Sequence, residues 1–173
     1  IPPFSSSLPE EIDLSELVQT RFSKHLLTSM KSNNVAVRQG AADSFKSLLS
    51  RCKTESLVQK IATEIIGPLK TQKITAPEHR IAYAQALSAV PLSADVSKGI
   101  VQGFGPLFAR ESNEAALEEE LKAFNTHLAF LIKSSVKVSD DIINTIVKGI
   151  SEKRIPFRKI WQLNVGEVLW TSD

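Results

Sequence analysis

The sequence predicts an all-α chain, an α-solenoid of about four helical hairpins. Three observations lead there. Apolar residues recur three or four apart through most of the chain, as in Val37, Ala41, Ala42, Phe45, Leu48 and Leu49, which places each set on one helical face. Gly67-Pro68-Leu69 returns as Gly105-Pro106-Leu107 after 38 residues, and Arg38 with Ala42 and Phe45 returns as Arg80 with Ala84 and Leu87 after 42. Two separate registers near 40 residues are the signature of a helical repeat, whose units bury their apolar stripes by stacking. A compact helical bundle, the alternative, requires no such period.

The elements follow in order. Residues 1–13, with Pro2, Pro3, Pro9 and three consecutive serines, form an irregular lead-in. The repeat array spans 14–173, in pairs at about 15–52, 54–90, 93–134 and 139–170. Ser15, Thr54, Ser93 and Ser139 are the expected N-caps, since a hydroxyl can accept from the orphan amides of a first turn. The first helices carry Val18, Phe22, Leu26 and Met30; then Val58, Ile61, Ile65 and Leu69; then Val96, Ile100, Phe104 and Leu107; then Ile142, Ile146 and Ile150. Second helices are expected at roughly 35–52, 77–90, 113–134 and 154–170. The prolines of both Gly-Pro-Leu triplets should kink or finish their helices.

At 173 residues and 42% hydrophobic content, the chain can form one domain with a continuous core. Twenty-one basic against 19 acidic side chains exclude a uniformly basic nucleic-acid binder and an acidic tail, so electrostatic recognition must be local. The single cysteine, Cys52, continues the series Phe45, Leu48, Leu49 and reads as a packed thiol in a reducing compartment, hence the cytoplasm. No apolar run approaches the roughly 20 residues of a membrane span, so no membrane partner is expected. The start at Ile1, with neither an initiator methionine nor a leader pattern, reads as a piece of a longer protein.

No catalytic, cofactor or metal site is expected. His25, His79 and His127 fall in three different hairpins without a second ligand at helical spacing. Gly99, Gly103 and Gly105 lie in an apolar helix rather than a phosphate-cradling turn, and no serine has nucleophile-elbow glycines around it. Adjacent Glu118, Glu119 and Glu120 point 100° apart, so they are expected on a solvated face.

The turns within pairs are more informative, because stacking lines them along one edge. They carry Lys31, then Lys70 and Lys73, then Arg110, then Lys153 and Arg154. Residues 20–80 hold 11 basic and 4 acidic side chains, an excess that would draw phosphate. Trp161, Leu169 and Trp170 are large apolar groups near the end of the array, expected to face a further pair and to leave the end prone to self-association.

Residues 34–49 resemble the second helix of a HEAT repeat. In that resemblance Arg38 and Arg80 form a structural ladder, each bonding an acceptor in the neighbouring repeat, although the favoured turn aspartate is replaced by Asn33 or Asn34. Ser29-Met30-Lys31-Ser32-Asn33-Asn34-Val35, Lys73-Ile74-Thr75-Ala76-Pro77-Glu78-His79-Arg80 and Glu111-Ser112-Asn113-Glu114-Ala115-Ala116-Leu117 together resemble the amino-terminal region of the HEAT-repeat translational activators of general amino-acid control. The likeness covers about residues 20–125. It implies a non-catalytic scaffold segment of a ribosome-associated regulator in the stalled-ribosome and amino-acid starvation response. Its partners would be the ribosome and, through the full-length protein, other translation-control proteins. The family's kinase-binding segment, and its middle part like the repeat arm of the fungal elongation-factor ATPase, lie outside this stretch. The alternative is a generic HEAT adaptor that grips protein or peptide partners, as an import receptor does.

Overall fold

The computed structural model describes residues 23–170. Eight α-helices follow one another there, with no strand among the described residues: α1 Ser23–Ser29, α2 Val35–Leu49, α3 Glu55–Lys70, α4 Pro77–Ser88, α5 Ala94–Phe108, α6 Glu114–Lys133, α7 Asp140–Ile150 and α8 Ile155–Trp170. Consecutive helices pair as α1/α2, α3/α4, α5/α6 and α7/α8. The hairpins then stack in two layers, α3 on α5 on α7 and α2 on α4 on α6 on α8. This is the architecture of an α-solenoid. The lead-in 1–13, the cap Ser15 and the positions Val18 and Phe22 lie outside the described residues.

One core runs between the layers, from Leu26 and Met30 through Phe45, Ile65, Tyr83, Phe104 and Phe124 to Trp161 and Val165. Each helix contributes its three-and-four stripe, as α2 does with Ala41, Ala42, Phe45, Leu48 and Leu49, although Val37, expected on the same stripe, is exposed at the start of the helix. Cys52 is buried in the same core. Pro68 and Pro106 each stand two residues before the end of their helix, so they finish it rather than bend its middle. After α3 the chain reverses through Gln72 at φ 60°, with Lys73 N–H donating to Pro68 O at 2.9 Å; after α6, Ser135 at φ 56° and Val136 N–H to Leu131 O repeat the device.

Two expectations are corrected. Thr54, Ser93 and Ser139 do stand at N-cap positions with extended backbone, but none of their hydroxyls bonds the helix amides. Side-chain caps belong instead to second helices, where Asn34 Oδ1 accepts from Ala36 and Val37 and Asn113 Oδ1 accepts from Ala116. Trp161 does not face outward. It is 3% exposed, lies directly on Gly149, where no Cβ could fit, and packs edge-on to Phe108 with centroids 4.9 Å apart. The side chains of Leu169 and Trp170 lie outside what is described. The exposed apolar groups at this end include Ile143, Val147 and Ile150 of α7 and Ile155 and Leu163 of α8.

Candidate functional site

Antiparallel pairing brings the four within-pair turns, around 30–34, 71–76, 109–113 and 151–154, to one edge of the stack. Lys31, Lys70, Lys73, Arg110, Lys153 and Arg154 are all exposed on or beside them. Lys70 ends α3, where a cation is favoured by the helix dipole. Lys31 Nζ lies 5.9 Å from the centroid of the Tyr83 ring. Among the described residues, Lys70, Lys73, Arg110 and Lys153 form no ion pair, so their charge is available to a partner.

Arg154 is different. Its Nε and Nη2 meet Glu152 at 3.2 and 3.1 Å, its Nη1 donates to Glu111 O at 3.0 Å, and its guanidinium lies 4.0 Å from the Phe157 centroid. The bond to Arg154 holds the Glu152 carboxyl below its usual range. Arg154 therefore ties the fourth hairpin to the third while remaining on the edge.

The two second-helix arginines part company. Arg38 Nη1 donates to Ser32 O at 2.8 Å, within its own turn. Arg80 reaches the next hairpin, with Nε to Glu111 Oε1 at 2.8 Å and Nη2 to Oε2 at 2.7 Å, and its Nη1 donates to Thr75 O at 2.6 Å. This planar fork on a carboxylate is the strong form of the interaction. Glu111 is also a local cap, because Oε2 accepts from Ser112 N–H at 2.9 Å and Asn113 N–H at 3.1 Å. Burial opposes its ionised form, yet the bonds from Glu120, Arg80 and the Asn113 amide hold its carboxyl down at about 2.

Under this pair lies Glu120, and the solvated face expected for Glu118, Glu119 and Glu120 is corrected. Glu118 is exposed and Glu119 partly so, while Glu120 is 0% exposed with its carboxyl against that of Glu111. A twenty-residue helix turns one of any three consecutive side chains inward, and here that side chain is Glu120. Burial first, and the neighbouring Glu111 carboxylate second, push its acid up to about 11. Glu120 is thus a neutral acid at neutral pH, whose O–H donates a hydrogen bond to the Glu111 carboxylate.

His127 is also inside. Its Nε2 donates to Leu87 O and its Nδ1 accepts from the Ser97 hydroxyl, both at 2.8 Å, so one imidazole joins α4, α5 and α6. Burial lowers its pKa and keeps it neutral. This serine–histidine contact is sealed at 0% exposure on both sides and serves packing. His25 is exposed, and His79 is half-buried. Sequence reasoning missed the roles of Glu111 and His127; the signal for Glu111 was its place two residues before the capping Asn113 in the turn of the third hairpin.

No helix among the described residues is long and apolar enough to cross a membrane. No solved structure matches the chain. A family described as the stalled ribosome sensor GCN1 N-terminal matches residues 2–76, and one described as the general control nonderepressible 1 (Gcn1) N-terminal matches residues 77–173. The eIF-2-alpha kinase activator GCN1 of Saccharomyces cerevisiae is 26% identical over 159 residues, covering 88% of this chain and 6% of that protein, so the chain spans a small part of its relative. With helices, turns and quoted segments in agreement and more than half of the sequence matched by one family, the chain belongs to the Gcn1 N-terminal family.

Proposed function

We propose that this chain is a non-catalytic scaffold segment that lies against the ribosome, within a cytoplasmic regulator of translation acting in the stalled-ribosome and amino-acid starvation response. The observation that carries it is the exposed basic edge, with Lys70, Lys73, Arg110 and Lys153 free of ion pairs among the described residues. Lysines on turns act as point charges, so the contact would be to phosphates and without base specificity. The family names support the ribosome as the surface, and the yeast relative's name supports a link to an initiation-factor kinase through the longer protein. Ile143, Val147 and Ile150 support self-association of the isolated segment, to be checked by light scattering across concentration.

Ribosome co-sedimentation across a salt series tests the reading. Lys70→Glu with Lys73→Glu should weaken association and flatten its salt dependence with little loss of fold, since exposed charges contribute at most about 1 kcal/mol. Glu114→Gln with Glu118→Gln, both exposed positions on α6, is the control and should leave association equal or slightly stronger. Undiminished binding of the charge reversal at every salt concentration would leave the edge as mere solvated surface.

A second reading, a peptide adaptor, is favoured by the groove of about 490 Å³ between α5 and α7. Its floor holds Phe108, Gly149 and Trp161, and its rim Gln102, Asn144 and Lys148. Grip by such a groove would respond weakly to salt, which separates it from phosphate contact.

A further inference from the structure

The basic residues of the edge stand on turns of different hairpins, and flexible separate turns would present them at variable spacing. One residue lies at the crossing of three of those hairpins. The Glu111 carboxylate takes the Arg80 fork from the second hairpin, its own amide neighbours Ser112 and Asn113 close the turn of the third, and its carbonyl takes Arg154 from the fourth. The Glu111 side chain is 1% exposed and that of Arg80 12%, so water competes little for these bonds. Arg110, the neighbour of Glu111, is itself an edge residue, and Arg80 Nη1 holds Thr75 O in the turn that carries Lys73.

We propose that Glu111 is the positioning residue of the edge: by joining three successive turns it fixes the spacing of Lys73, Arg110 and Lys153 to one another, and so sets how they meet a rigid array of phosphates. This rests on the ribosome reading given above. It makes a prediction that charge counting contradicts. Glu111→Gln adds one net positive charge to a basic edge, and Arg80→Gln removes one; if charge alone mattered, the two would shift affinity for ribosomal RNA in opposite directions. If spacing matters, both weaken it, because several weak contacts made together lose their advantage when they are no longer held in register.

The experiment measures ribosome co-sedimentation of the 173-residue chain and of both variants at fixed salt, alongside circular dichroism to confirm folding. Expected is a loss of roughly tenfold in affinity for Glu111→Gln and for Arg80→Gln alike, with Glu114→Gln unchanged or slightly tighter. Tighter binding by Glu111→Gln with weaker binding by Arg80→Gln overturns the proposal. A second measurement does not need the ribosome: spin labels at Lys73→Cys and Lys153→Cys, with Cys52→Ala, should give one narrow distance distribution that broadens when Glu111→Gln is added. An unchanged distribution overturns the tie whatever the binding data show. If the parent chain fails to sediment with ribosomes, the ribosome reading falls and with it the functional half of the proposal, while the distances still decide whether Glu111 holds the turns.

Discussion

At the joint between the first and second hairpins Arg38 turns back to Ser32 O, whereas at the next joint the equivalent Arg80 crosses to Glu111 with two bonds. The difference lies in the acceptor. Glu111 stands two residues before the N-cap Asn113; at the same distance before the N-cap Ala76 stands Ile74, a buried apolar side chain. The first joint is therefore held by the apolar core and by Tyr83, whose hydroxyl donates to Leu27 O at 3.3 Å. The later joints add Arg80 to Glu111, His127 to Leu87, Arg154 to Glu111 O and the Asn125 amide to Asn164 O. An arginine at a repeat position becomes a ladder rung only where the following turn offers an oxygen.

If the comparison is right, the apolar core should respond alike in both regions and the polar ties should not. Phe45 and Phe124 are 1% and 0% exposed, so Phe45→Ala and Phe124→Ala should each cost about 3–5 kcal/mol in urea unfolding. A much smaller cost for Phe45 would mean that the first hairpin is not part of the common core. Next in size, Glu111→Ala should cost about 3 kcal/mol, because it leaves the Arg80 guanidinium mostly buried and opposite no carboxylate. An unchanged midpoint would remove the ion pair from the list of what holds the central joint.

The layout was legible in the sequence because it rests on spacing: the stripe from Ala41 to Leu49 and the repeated Gly-Pro-Leu need only local periodicity. The edge was legible for the same reason, since the topology of a solenoid places Lys31, Lys70, Lys73, Arg110 and Lys153 on one side wherever the hairpins fall. What escaped was decided across repeats. Glu120 looks like its neighbours Glu118 and Glu119 until helix phase turns it inward, and Trp161 reads as a loose end until Gly149 makes room for it. Arg154 reads as a free charge, yet its acceptor lies 43 residues away in Glu111 O.

A third test uses pH. Glu120 has a folded pKa of about 11 against an ordinary value of 4.5, so the folded chain keeps a proton that the unfolded chain loses. Its contribution to stability is complete below pH 4.5 and declines as pH rises toward 11, by at most about 1.4 kcal/mol per unit. Glu111, held at about 2, acts oppositely and only in acid, losing its contribution as pH falls from 4.5 through 2. His127, lowered from 6.5, costs stability as pH falls below that value. Above pH 7 the Glu120 slope stands apart from both. Glu120→Gln should therefore be as stable as the parent or more so at pH 8, and the gap should widen toward pH 9.5 in thermal unfolding. A parent and variant that run parallel from pH 7 to 9.5 would show Glu120 ionised in the fold.

The smallest effect is expected at Arg38. Its bond to Ser32 O closes the turn from residue 32 to residue 38, joins no second hairpin and is only part-buried, so Arg38→Ala should cost about 1 kcal/mol at most. The loss should appear as faster amide exchange in the turn at 31–34 and the first turn of α2, with the protection of α4 unchanged, because nothing in that bond reaches the second hairpin. Arg80→Ala, by contrast, should raise exchange in its own turn and at Ser112 and Asn113 together, since those two amides bond the same carboxylate that Arg80 holds. If Arg38→Ala disturbed α4 as Arg80→Ala disturbs α6, the two joints would share one mechanism and the apolar Ile74 would not be the reason they differ.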